Sequence, residues 1–189
     1  MESNLYNRDN YIAKVLPLSN QENKESCIKL LTHRNRHLLL CHNIYDDKYI
    51  QMAVESSDYI LFHHRKENIE DIVGFALVAL KKKAVDILLL CAAPNIEQFG
   101  NMIANSVYNF GIAKKYSRIY ASPRTSQLRN TFLKYGFEHL RGMKDINEVL
   151  VKNINLLKFN RTNKTRKINR GRNNRVSNFQ NFNSLDRKN

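Results

Sequence analysis

Residues 86–111 read DILLLCAAPNIEQFGNMIANSVYNFG and pass from an apolar run, through a short polar loop with one proline, into a helical pattern. The run ILLLCAA shows no alternation of polar and apolar positions, which is the pattern of a central strand covered on both faces. Beyond the loop, Phe99, Met102, Ile103, Val107 and Phe110 fall close to the i, i+3, i+4, i+7 spacing of one packed helix face. SRIYASP, 117–123, then reads as a short strand closed by Pro123. Strand, helix and strand in this order form a crossover unit, and such connections are right-handed. A chain with this unit at its centre is committed to a sheet with helices on its faces.

The flanking segments fill in that sheet. YIAKVLPL (11–18) reads as a first strand and NQENKESCIKLLTHRNRH (20–37) as a helix with Asn20 or Ser19 as its N-cap. DDKYIQMAVESS (46–57) is a second helix. DYILFHHRK and DIVGFALVALKKK are strands joined by ENIE (67–70), a hairpin connection by length and polarity, and AVDILLLCAA follows as the next strand. RTSQLRNTFLKYGFE (124–138) is an amphipathic helix with Gly136 placed to terminate it, and HLRG and INEVLVKNI give two last strands. The expected fold class is α/β, with a mixed, mostly antiparallel central sheet flanked by helices.

Charge divides the chain in two. From residue 151 onward eleven basic residues face a single acid, Asp186, so this segment carries +10 of the total +14 and the first 150 residues only +4. From about residue 158 the apolar residues follow no period and asparagine is abundant, a composition that cannot bury enough apolar surface to offset its ordering entropy. A folded domain over 1–157 and a basic, disordered tail over 158–189 are expected. No apolar run approaches the roughly 18 residues of a membrane helix, and the first ten residues, MESNLYNRDN, lack the apolar core of a secretory signal. Cys27, Cys41 and Cys91 are an odd number at wide spacing, the pattern of neither a disulfide framework nor a zinc cluster, so a cytoplasmic, reducing compartment is the default.

The series IVGFALV, VDILLLCAA, loop, FGNMIANSVYNFGIAKKYSRIYAS and LRNTFLKYGFEHL resembles the GNAT superfamily of acyl-CoA N-acyltransferases over about residues 58–142. In that family a strand carrying GF or GY precedes the central strand, an R/Q-x-x-G-x-G loop leads into a long helix, and a segment similar to FYEKLGF comes late. Here these correspond to Gly74-Phe75, the loop ending at Gly100, and TFLKYGF with Gly136-Phe137. The resemblance implies a strand-helix-strand cleft for acyl-CoA, with acetyl-CoA as co-substrate. Leu90, Cys91, Ala92, Asn95, Gln98, Phe99, Gly100 and Asn101 are the positions it assigns to binding. The physics of the loop is independent of the name: a helix N-terminus offers unpaired N–H groups and the positive end of its dipole to a pyrophosphate, and glycine admits the phosphate without a side chain in the way. Asn95 stands where the family has Arg or Gln, and Gln98 where it has the first glycine, so the cradle is reduced. Taken alone, Gly100 reads more readily as a packing accommodation than as a phosphate site.

Acyl transfer from a thioester to an amine needs a neutral amine, a donor for the oxyanion and a proton for the thiolate. The resemblance places a base at Asp86, the only acid of the central strand, against the plain reading of a solvated charge at a strand entrance. It places the oxyanion donor at a backbone N–H of Leu90, Cys91 or Ala92. Cys91 itself reads as a small buried hydrophobe, not a nucleophile. The family's tyrosine acid lies four residues before the glycine, and that position is Phe132, which has no proton to give; Tyr135 is most of a helical turn away and is expected to point elsewhere. His33 and His37 stand i, i+4 beside Arg34 and Arg36 and read as a basic, solvated face, with no metal site expected. His63 and His64 alternate across a strand, so only one can face the acceptor. LTHRNRHLLLCHNIYDDKYIQMAVE (31–55) falls where the relatives build the acceptor wall. The implied activity is direct transfer of an acetyl group from acetyl-CoA to a primary amine of a protein, peptide or small molecule. The reduced loop and Phe132 keep two alternatives open: a GNAT-fold binding or scaffold protein, and a protein that contacts RNA or DNA through residues 158–189.

Overall fold

A computed structural model of the chain describes residues 11–34, 44–93, 97–140 and 149–154, apart from the side chains of residues 33, 34, 97–99 and 127. Seven strands and four helices follow in the order β1 (Tyr11–Pro17), α1 (Gln21–Lys29), α2 (Asp47–Glu55), β2 (Tyr59–Arg65), β3 (Asn68–Lys81), β4 (Ala84–Ala92), α3 (Glu97–Ala113), β5 (Arg118–Ala121), α4 (Ser126–Lys134), β6 (Glu138–His139) and β7 (Leu150–Asn153). The strands form one sheet in the order β1-β2-β3-β4-β5-β7-β6, in which β4 and β5 are the parallel pair. This is the mixed, mostly antiparallel sheet with a single crossover that the sequence leads one to expect. The proposed tail and the domain boundary at 157 lie outside the described residues, as do His37 and the side chain of His33.

Local chemistry explains the elements. Asn20 caps α1 by accepting from the Asn23 N–H at 2.8 Å, and Asp46 caps α2 by accepting from the Tyr49 N–H at 2.7 Å. α1 runs on into a π-helical turn, Leu30–Arg34. The β2–β3 connection is shorter than ENIE: β3 already begins at Asn68, whose side chain accepts from the Glu70 N–H at 3.0 Å and shapes the turn. α4 ends in a Schellman arrangement. The Phe137 N–H donates to the Phe132 carbonyl at 3.2 Å and the Gly136 N–H to the Leu133 carbonyl at 3.0 Å. Gly136 takes φ +78° there, a left-handed conformation that favours glycine.

The core has two halves, one on each sheet face. Leu31, Ile50 and Val54 of the α1–α2 layer pack on Phe62, Phe75, Leu77, Leu89 and Cys91. Ile103, Val107 and Phe110 of α3 pack on Leu61, Ala76, Val78, Val85, Ile87 and Leu90, where Phe132 and Phe137 join them. Each such side chain contributes on the order of 1.5–3 kcal/mol when fully buried, so β4, apolar on both faces, is the seam between the halves. No helix among the described residues is long and apolar enough to cross a membrane.

Candidate functional site

The geometry of β4 defines the site. Its lower half pairs with β3 on one side and with β5 on the other, from Ala84↔Arg118 to Ile87↔Ala121. At that point β5 ends, and β4 continues for five residues to Ala92 with no β5 partner. A register irregularity falls at the same level: Val78 pairs with Ile87 but Leu77 with Leu89, so Leu88 is the extra residue of a bulge. The bulge and the end of β5 together open a gap between β4 and the β5–α4 connection.

Which groups face that gap follows from the pleat. The Ala93 N–H donates to the Val73 carbonyl of β3 at 2.9 Å. Because backbone direction alternates along a strand, the amide groups of Cys91 also face β3, while those of Leu90 and Ala92 face the open edge. Of the three positions the resemblance assigns to oxyanion stabilisation, Leu90 and Ala92 thus share the gap and Cys91 does not. Cys91 is buried at 3% exposure and disulfide-bonded, so it is no free thiol. The expectation that the cysteines form no disulfide is corrected here, since linear spacing does not report which sulfurs meet across a fold. Cys27 is free and buried, and burial pushes its thiol up to about 12.

Asp86 sits two residues below the bulge. Its neighbours Val85 and Ile87 face α3, so Asp86 faces the α1–α2 side, level with Tyr120 of β5. Its carboxylate forms an ion pair with Lys81, whose side chain is largely exposed while that of Asp86 is 13% exposed. At about 3.3 Å per residue, Asp86 stands roughly 13 Å along the strand from Leu90.

The N-terminus of α3 opens toward the upper end of the gap. Gly100 is the fourth residue of the helix and Asn101 the fifth, exposed. Asn95 lies outside the described residues, and of Gln98 and Phe99 only the helical backbone is described. The structure adds a residue that sequence reasoning set aside. A Cβ built on Gly100 would stand 2.7 Å from the Tyr135 hydroxyl oxygen, so Tyr135 reaches from the end of α4 to the first turn of α3. The Tyr135 carbonyl accepts from Lys152 Nζ at 2.5 Å, and that ammonium lies 5.0 Å from the Tyr108 ring centroid and 5.9 Å from that of Phe137. Burial lowers the Lys152 pKa. Phe132 is 2% exposed and packs edge-on against Phe137, centroids 4.9 Å apart.

The two histidines separate as alternation requires. His63 faces α3 and shares a 2.7 Å hydrogen bond between its Nε2 and Ser106 Oγ; burial, with neighbouring His64, lowers its pKa to about 4. His64 faces the α1–α2 side beside Phe62, ring centroids 5.9 Å apart. Its Nδ1–H donates to the Arg65 carbonyl at 2.6 Å, and its Nε2 is buried without a partner among the described residues. Both lie on β2, two strands from β4. Among the described residues no cluster of His, Cys, Asp or Glu could hold a metal ion.

Comparison with known proteins bears on the fold. No protein-family model matches the sequence, and no curated protein does either. Solved structures do match. An acetyltransferase of the GNAT family from Staphylococcus aureus is 14% identical, covers 76% of this chain and 100% of its own, and superposes with a TM-score of 0.53. The catalytic domain of a Tetrahymena histone acetyltransferase, solved with coenzyme A, is 13% identical, covers 77% of this chain and 93% of its own, and gives 0.54. An N-acetyltransferase from Thermoplasma acidophilum, also solved with coenzyme A, is 14% identical, covers 76% and 98%, and gives 0.50. The chain therefore has the GNAT fold, in a divergent sequence.

Proposed function

We propose that the protein is an N-acetyltransferase that moves an acetyl group from acetyl-CoA directly to a primary amine. The observation that carries this reading is the open edge of β4, where the Leu90 and Ala92 amides face a gap left by the end of β5. An extended ligand with amide groups of its own fits such an edge as an added strand would. The first turn of α3 at Gly100 fits a pyrophosphate by the N–H groups that a helix start leaves outside its own ladder and by its dipole. Two of the structures that share the fold were solved with coenzyme A, which supports the same fit.

In this reading Leu90 N–H or Ala92 N–H stabilises the oxyanion of the tetrahedral intermediate. Asp86 is the proposed base, and at roughly 13 Å from Leu90 along β4 it takes the amine proton through a chain of waters. Position 132, where the relatives carry the tyrosine, has no side-chain acid. A thiol with an ordinary pKa near 8.5 leaves as thiolate close to neutral pH, so the missing acid forgoes a factor on the order of 10²–10⁴ without blocking the reaction. Asn95, Gln98, Phe99 and Asn101 complete the proposed contacts to the co-substrate.

Isothermal titration with acetyl-CoA, using Gly100→Glu as control, tests the proposal. Micromolar binding that the variant abolishes supports it. Absence of binding to the wild type overturns it in favour of a GNAT-fold binding or scaffold protein. A second reading rests on the +10 charge of residues 151–189, which suits salt-sensitive contact with RNA or DNA phosphates. Deleting 158–189 should then abolish RNA retention at low salt, and unchanged retention would exclude it.

A further inference from the structure

On the α1–α2 side of the gap, a groove of about 300 Å³ is lined by Tyr45, Asp46, Lys48, Tyr49, Met52 and Arg124, with Ile44 at its edge. Two distant parts of the chain build it. Tyr45 and Tyr49 stack with centroids 4.6 Å apart and planes inclined by 15°. Arg124, three residues beyond the end of β5, lays its guanidinium over the Tyr49 ring, 4.2 Å from the centroid. The segment that carries Arg124 leaves the sheet where β5 ends opposite Ile87, the level at which the β4 edge opens, and it meets α2 at Tyr49.

The chemistry of the groove is asymmetric. Arg124 is exposed and forms no ion pair with a carboxylate among the described residues. The Tyr49 ring covers one side of the guanidinium, whose forked N–H groups suit a planar oxyanion. Lys48 adds a second cation, and the one acid, Asp46, already uses Oδ1 to cap the Tyr49 N–H. Met52 and Ile44 are 59% and 51% exposed and give the groove an apolar wall. The volume suits a small ligand or a peptide end and is too small for a folded partner.

We propose that this groove is the acceptor subsite and that the acceptor is an amine bearing a carboxylate, an amino acid or short peptide whose carboxylate is held by Arg124 and whose side chain lies against Met52 and Ile44. This rests on the acetyltransferase reading for its reaction, but not for its binding. Arg124 is a binding residue here: it holds the carboxylate and takes no part in the bond changes.

The test is titration of the full chain with a set of apolar dipeptides having free carboxylates and with the same dipeptides as C-terminal amides, followed by calorimetry. Wild type should prefer the carboxylates by about tenfold or more, the usual scale for a charge-assisted hydrogen bond. Arg124→Gln should erase the preference, and Arg124→Lys should restore it only in part, while both variants keep the wild-type melting temperature and acetyl-CoA affinity. Equal affinity for the two sets, no binding of any carboxylate, or a preference that survives in Arg124→Gln overturns the subsite. Ethanolamine phosphate serves as a further probe, and tighter binding than every dipeptide also overturns the assignment to carboxylates. Because these titrations need no turnover, loss of acetyl-CoA binding in the wild type would sink the acetyltransferase reading and leave the subsite to be judged separately.

Discussion

The hydroxyl of Tyr135 rests over the Cα of Gly100, joining the end of α4 to the first turn of α3, where a Cβ would stand 2.7 Å from the phenol oxygen. Alanine is a better helix former than glycine by about 1 kcal/mol, so at an open helical site Gly100→Ala would stabilise. With Tyr135 in place that gain is opposed by the displaced hydroxyl. Gly100→Ala should therefore be neutral or destabilising in the wild type and stabilising by roughly 0.5–1 kcal/mol in a Tyr135→Ala background. Urea unfolding of the four chains measures the coupling, and additive effects would show that the contact carries no energy.

Phe132 is where the resemblance to acyltransferases loses its acid, and the fold gives that residue another task. In the Schellman turn it occupies the position whose side chain meets the residue after the glycine, here the ring of Phe137 at 4.9 Å. Restoring the family's residue by Phe132→Tyr places a hydroxyl in a 2% exposed site, at a cost of roughly 1–3 kcal/mol if it finds no partner. A fall of several degrees in Tm is the expected outcome. An unchanged Tm would mean that the phenol reaches the gap, and the variant would then merit assay as a gain in catalysis.

His63 gives stability a pH dependence whose sign is fixed by its surroundings. Its folded pKa, about 4, lies below the ordinary 6.5, because burial and the nearby His64 disfavour the imidazolium. The unfolded chain therefore binds the proton more readily, and stability is full above pH 6.5 and lost as pH falls toward 4. The whole effect is at most about 3 kcal/mol. His63→Gln, which keeps a partner for Ser106, should flatten the Tm profile between pH 6.5 and 4. A profile as steep as wild type would place the proton uptake elsewhere.

The order of elements was legible in the sequence because periodicity and punctuation agree locally. β4 is apolar on both faces, α3 carries a clear stripe at Ile103, Val107 and Phe110, and Gly136 stops α4 at a left-handed position. The site was legible only where it lies on one element. The open edge at Leu90 and Ala92 depends on where β5 stops, and the Leu88 bulge has no side-chain signature. Tyr135 is not legible from the sequence because helical geometry alone says which way it leaves α4, not which helix it then meets. Likewise Tyr49 and Arg124 are far apart in sequence, and their stacking is a product of tertiary packing.

Asp86 has a structural and a catalytic reading, and the Lys81 pair separates them. The pair is only partly buried, with Lys81 62% exposed, so it contributes about 0–1 kcal/mol to stability. If Asp86 only anchors Lys81, then Lys81→Met and Asp86→Asn should lower Tm alike by a degree or two and leave acetyl transfer unchanged once an acceptor is in hand. If Asp86 takes the amine proton, Asp86→Asn should lower kcat/KM by about 10²–10⁴ at neutral pH and recover as pH rises toward the acceptor amine's own pKa. Lys81→Met should then keep most of the activity, because it removes the partner and leaves the base. The two variants thus move together in the structural case and apart in the catalytic one, and a Lys81→Met loss as large as that of Asp86→Asn would count against Asp86 as the base.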